Sequence, residues 1–143
     1  FQLRYPADRI DELAAGGAAI IDYKTGEPPS RKQVRELLAP QLPLEGAILA
    51  AGGFAPIGAR SPEEMAYIRY SGGQKLGEIR DIPDATLLAE KAVAQLGRRS
   101  AEFDEQTTPY PSRVRPWRAD VAGDYDHLAR VREWSLTGWG DEE

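Results

Sequence analysis

Ala18-Ala19-Ile20-Ile21-Asp22-Tyr23-Lys24 is the stretch that decides the fold. Its first half is a short apolar run ending in two β-branched residues, which suits a strand in the middle of a sheet. Its second half sets an acid and an amine two positions apart. Side chains in a strand repeat every second residue, so Asp22 and Lys24 project from one face. Upstream, Leu3 to Asp11 reads as a partner strand and Leu13-Ala14-Ala15-Gly16-Gly17 as the turn, which makes residues 3–24 a β-hairpin. Asp8 and Asp22 lie symmetrically about residue 15, inside that turn. Regular pairing then sets them opposite one another, about 5 Å apart at Cβ.

Two carboxylates that close repel unless something positive stands between them, and a divalent cation is the obvious candidate. Lys24 projects beside both. Such a group suits phosphodiester hydrolysis. Magnesium accepts a few carboxylate oxygens, keeps several waters and polarises a phosphoryl oxygen, while an ammonium orients or helps deprotonate the attacking water. An Asp-x-Lys tripeptide alone is usually a solvated strand edge. Here the apolar Ile20-Ile21, the hairpin register of Asp8 and the capped helix that follows shift the balance towards chemistry.

That helix begins after Ser30, because Ser with Gln33 three positions later is a capping box, and it is expected to run through Leu37-Leu38. Pro40 and Pro43 interrupt it, so residues 31–51 form two short helices or one kinked helix before Gly52-Gly53. The helix N-terminus with Arg31 and Lys32 would favour a phosphate nearby. Met65 to Tyr70 alternates as a strand, and a second runs near Leu76 to Ile82 across the Ser71-Gly72-Gly73 turn. Asp84 caps a long helix over 84–105, in which Leu87, Leu88, Ala92, Val93, Leu96 and Phe103 recur at helical spacing. A loop at residues 108–112, a basic arm to Trp117 and a short helix over Tyr125 to Trp134 complete the chain. The expected fold is α/β, a mixed β-sheet core flanked by helices.

The 143 residues fit one globular domain. The chain opens on Phe1 and enters a charged, strand-like segment at once, which suggests a C-terminal fragment of a larger protein, truncated at its N-terminus. No apolar run approaches the roughly 20 residues of a membrane span and no secretory pattern opens the chain, so a soluble, cytoplasmic protein with no membrane partner is expected. With no cysteine there is no disulfide, no cysteine-ligated zinc and no iron–sulfur cluster. A net charge of −5 argues against a nucleic-acid-coating protein. Local basic groups at Arg31, Lys32 and Arg35, at Arg98 and Arg99, and at Arg113, Arg115 and Arg118 still leave room for a DNA track. Neither Gly52-Gly53 nor Ser71-Gly72-Gly73-Gln74-Lys75 has phosphate-loop spacing, so the chain encodes no nucleotide-driven motor. Trp117, Trp134 and Trp139 read as packing residues rather than base-stacking platforms, and His127 as a surface or packing histidine.

Pro6-Ala7-Asp8 followed by Ile21-Asp22-Tyr23-Lys24-Thr25-Gly26 resembles the PD-(D/E)XK nuclease superfamily in its RecB-like form. Gln33-Val34 and Pro40-Gln41-Leu42-Pro43-Leu44-Glu45 extend the likeness to that family's helix glutamine motif. Pro109-Tyr110 and Gly123-Asp124-Tyr125-Asp126-His127-Leu128-Ala129-Arg130-Val131 are similar to the tail of cysteine-free bacterial AddB proteins. The resemblance implies a restriction-endonuclease-like fold over residues 1–143. It also implies a Mg²⁺-dependent, or Mn²⁺-dependent, exodeoxyribonuclease that processes DNA double-strand breaks for recombinational repair. DNA, as the single-stranded end of a processed duplex, and an AddA-type helicase–nuclease subunit are its implied partners. Asp8, Asp22, Lys24 and Gln41 are the implied catalytic residues, and Asp8, Asp22 and the Tyr23 carbonyl the implied metal ligands. Glu45 stands where the family carries an aromatic residue, and the family's upstream His or Glu has no counterpart before Phe1. A nuclease-like fold kept as a catalytically inactive scaffold for DNA binding or subunit docking is the alternative.

Overall fold

The computed structural model describes residues 2–70, 77–109 and 128. The turn at Ser71-Gly72-Gly73, the basic arm from Arg113 to Arg118, the three tryptophans, His127 and nearly all of the terminal helix expected from Tyr125 lie outside those residues. The chain divides into two compact units, Phe1–Asp104 and Glu105–Glu143, and every element below belongs to the first.

Strand β1 (Arg9–Glu12) pairs antiparallel with β2 (Ala18–Lys24), with Arg9 opposite Ile21 and Glu12 opposite Ala18. Leu13 and Gly17 close the turn, where Gly16 takes a φ of 101° that a residue without Cβ adopts without strain. The first strand is shorter than the expected Leu3 to Asp11. Pro6 has no amide hydrogen to offer a ladder, and the backbone stays irregular until Asp8.

Strand β2 is internal to the sheet. On its other side it runs parallel to β3 (Pro62–Arg69), which pairs antiparallel with β4 (Glu78–Ile82), in the order β1-β2-β3-β4. A parallel pair needs a crossover, and the segment between β2 and β3 supplies it with helices α1 (Arg31–Arg35) and α2 (Gln41–Ala50). Helix α3 (Ala85–Asp104) follows β4. The result is a mixed four-stranded sheet with helices packed on it, a restriction-endonuclease-like α/β fold.

The capping box forms as expected. Ser30 Oγ accepts from the Gln33 amide at 3.2 Å and Gln33 Oε1 from the Ser30 amide at 2.8 Å. Helix α1 ends at Arg35 rather than at Leu38, because Leu37 turns into the left-handed region (φ 54°) and the Leu38 and Ala39 amides both fold back onto the Gln33 carbonyl. Pro43 begins a helix instead of breaking one. It lies in the first turn of α2, where the amide it lacks would have had no helical acceptor.

The core fills the space between α2, α3 and one sheet face, with Ile20, Leu42, Leu49, Met65, Tyr67 and Leu88 all buried. On α3 the buried residues are Ala85, Leu88, Ala89 and Ala92, whereas Leu87, Val93 and Phe103 of the expected apolar stripe are exposed. Small side chains face inward because α2 approaches closely. A Cβ at Gly46 would overlap the Met65 Cε methyl and stand 3.2 Å from Ala89 Cβ and 3.3 Å from Pro62 Cβ. Asp84 precedes α3 in the left-handed region (φ 61°), and its carbonyl accepts the Leu88 amide at 2.9 Å.

The tight seat of α2 yields a stability prediction. Alanine at position 46 would gain about 1 kcal/mol of helix propensity against an overpacking cost of about 1–3 kcal/mol, so it falls near balance. Gly46→Val adds bulk without that propensity gain and should lower stability by about 2 kcal/mol, read as a shift in the urea midpoint at unchanged slope. An unchanged midpoint would contradict the packing described.

Candidate active site

The C-terminal half of β2 carries the candidate site. Alternation along the strand turns Ala18, Ile20 and Asp22 towards the helices, and this is how a carboxylate comes to lie in the core layer, only 2% exposed. A buried carboxylate is costly unless it is paired and hydrogen-bonded. Lys24 Nζ stands 2.6 Å from Asp22 Oδ2, and the Gln41 side-chain amide donates from Nε2 to Asp22 Oδ1. The carbonyl end of that amide accepts from Lys24 Nζ at 3.0 Å, which closes a three-residue ring. Nζ also lies 5.8 Å from the Tyr67 ring centroid, over a buried aromatic floor.

Asp8 joins from the other side of β2. Extending the β1–β2 register by one residue beyond Arg9 and Ile21 sets Asp8 opposite Asp22. The backbone there has already left the ladder, and the Asp8 Oδ2 atom itself accepts the Tyr23 amide at 3.0 Å. Asp8 is exposed and Asp22 buried, so the two acids share a locus but not an environment. Tyr23 points to the opposite sheet face. Its hydroxyl accepts from Arg9 at 3.3 Å, and its ring packs 5.5 Å from that of Tyr70.

The structure thus brings Asp22, Lys24 and Gln41 into direct contact and ties Asp8 to the same strand through the Tyr23 amide. Arg31 and Lys32, expected to favour a phosphate, each have a partner within the protein. Arg31 Nε donates to the Asp81 carbonyl at 2.8 Å and pins α1 to β4, and Lys32 lies 3.9 Å from Glu36.

Glu45, read in the sequence only as a departure from the family pattern, proves to belong to this cluster. One helical turn after Gln41, it faces the same site and accepts from Gln41 Nε2 at 3.0 Å through Oε1. It is 1% exposed, and Oε2 is buried with no hydrogen-bond partner. Burial, reinforced by the nearby Asp22 and Asp8 charges, pushes its carboxyl up to about 7 against the opposing pull of Gln41 and Lys24. The available signal was the i, i+4 spacing from Gln41, which puts both side chains on one helix face. Burial also raises the Tyr67 phenol, whose hydroxyl finds no hydrogen-bond partner.

The oxygen donors are of the kind a hard cation takes. Among the described residues no three His, Asp or Glu side chains converge as a metal cage. Asp8 and Asp22, with the Tyr23 carbonyl, could offer two carboxylates and a peptide oxygen, a donor set of the kind taken by an ion that keeps several of its waters.

A family model described as the PD-(D/E)XK nuclease superfamily matches residues 1–134. Among curated proteins, the chain is 42% identical over 48 residues to "Uncharacterized protein RC0550" of Rickettsia conorii and to "Uncharacterized protein RT0391" of Rickettsia typhi. That stretch covers 34% of this chain and 6% of either relative. No solved structure matches the chain.

Glu45 gives the site a pH signature. Its folded value near 7 lies above the ordinary 4.5, so the folded state binds the extra proton. The stabilisation is complete below pH 4.5 and is lost as pH rises towards 7. In chelator-containing buffer, Glu45→Gln should flatten the decline in stability across that window. A parallel decline in parent and variant would contradict the assignment.

Proposed function

The chain belongs to the PD-(D/E)XK nuclease superfamily, and from that premise we propose that it is a Mg²⁺-dependent exodeoxyribonuclease, the nuclease domain of an AddB-type protein. In this reading residues 1–143 form one domain of a larger cytoplasmic protein. It works with an AddA-type helicase–nuclease subunit on the single-stranded ends of broken duplexes. Members of the superfamily are generally nucleases that use divalent metals, and a motor is left to the partner. The AddB assignment draws its support from the sequence likenesses around Gln41 and in the tail.

The observation that carries the hydrolytic reading is the buried Asp22 carboxylate bound to Lys24 and Gln41, with Asp8 at the same point of the central strand. Asp8, Asp22 and the Tyr23 carbonyl would hold the ion, for which manganese substitutes. The ion supplies Lewis acidity towards a phosphoryl oxygen and a more acidic water. Lys24 orients that water and takes up negative charge that develops on the phosphate. Asp22 keeps the ammonium at this spot, and the Gln41 amide holds the pair in register.

The test is degradation of linear DNA with magnesium by the full-length protein and its partner, the partner's own nuclease having been disabled. Asp22→Ala, the shape-conserving Asp22→Asn and Lys24→Ala should each reduce the rate by about 10²-fold or more, and chelation should abolish degradation in the parent. Parent-like rates in Asp22→Ala and Lys24→Ala would eliminate the site. DNA binding without degradation by the parent would favour the inactive scaffold.

A further inference from the structure

The Gln41 side chain is a two-ended group whose ends are not interchangeable. With Nε2 towards Asp22 and Oε1 towards Lys24 it bridges the ion pair. Rotated by half a turn, it would set oxygen against carboxylate and amide hydrogens against ammonium. In the resting site Asp22 and Lys24 themselves favour the productive orientation. During hydrolysis Lys24 would also meet water and phosphate and Asp22 would also share its charge with a cation, so each would hold the amide less firmly. Glu45 is the remaining partner of the amide, bound to Nε2 at 3.0 Å and too deeply buried, at 1% exposure, to meet substrate.

The position of Glu45 is over-determined. It sits one turn after Gln41 on α2, and the adjacent Gly46 seats that helix against Met65, Ala89 and Pro62. Stability alone does not account for a carboxylate there. One oxygen is buried with no hydrogen-bond partner, and an apolar side chain of similar volume would avoid that desolvation.

We propose that Glu45 is a positioning residue: it locks the Gln41 amide with Nε2 towards Asp22 and Oε1 towards Lys24, and so sets where the Lys24 ammonium stands throughout turnover. The inference rests on the nuclease reading of this site. Glu45 does not touch substrate and acts only through Gln41.

The experiment uses the full-length protein and the variants Glu45→Gln, Glu45→Leu, Gln41→Ala and the Glu45→Leu/Gln41→Ala double. Glu45→Gln keeps an acceptor oxygen and should retain kcat within about threefold of the parent, while Glu45→Leu should lose about 10- to 100-fold in kcat at unchanged KM. In the Gln41→Ala background Glu45→Leu should cause no further loss, since a residue acting through another has nothing left to act on. A second readout needs no activity. The Gln41 side-chain NH2 resonances, recorded at saturating magnesium, should be well dispersed and slowly exchanging in the parent and in Glu45→Gln, and should lose both properties in Glu45→Leu. Parent-like kcat in Glu45→Leu, losses that multiply in the double variant, a Glu45→Gln as impaired as Glu45→Leu, or unchanged Gln41 resonances would each overturn the proposal. If the parent itself degrades no DNA, the nuclease reading falls, and the resonance measurement still decides whether Glu45 orients Gln41.

Discussion

The buried ion pair between Asp22 and Lys24 is the constraint on which the site depends. A carboxylate at 2% exposure requires compensation, and the 2.6 Å approach of the Lys24 ammonium supplies it together with the Gln41 amide. Such pairs add little net stability, because desolvation offsets most of the Coulomb attraction, but removing one partner is expensive. Their value lies in fixed geometry. Here one side chain of the pair remains partly open to solvent and the other is buried, which suits a group that must meet a phosphate and a group that holds it in place.

The scaffold is arranged around that pair. A parallel neighbour for β2 demands a crossover, and the crossover delivers α2 onto the sheet with Gln41 in its first turn. That helix can sit so close because position 46 carries no side chain and α3 presents alanines. The ion pairs of Arg80 with Glu27 and Glu78, and its bond to the Pro28 carbonyl at 2.7 Å, secure the loop that leaves β2 on its way to α1. Exposed ion pairs are screened by solvent and add little stability, so their joint role is to fix a path rather than to stabilise the domain.

Strand alternation, hairpin symmetry and the capping box were all legible in the sequence, because each is a local rule read over a few residues. The β1–β2 register and the Ser30–Gln33 cap follow from them directly. What local rules miss is set by tertiary contact. Pro43 looks like a breaker until its place in a first turn is known. Of the expected stripe of α3, Leu88 and Ala92 are buried, but the close approach of α2 selects Ala85 and Ala89 beside them in place of Leu87 and Val93. Glu45 reads as a departure from a family pattern, and only the packing of α2 shows that a charge there turns inward. Arg31, chosen for proximity to phosphate, is bound by a carbonyl 50 residues away that no spacing argument anticipates.

The most direct check on the central claim is an anomalous difference map from a crystal of the protein soaked in manganese. The account predicts a single strong peak between the Asp8 and Asp22 carboxylates, within reach of the Tyr23 carbonyl and with Lys24 close by. A peak elsewhere, or none at the two acids at saturating ion, would contradict it.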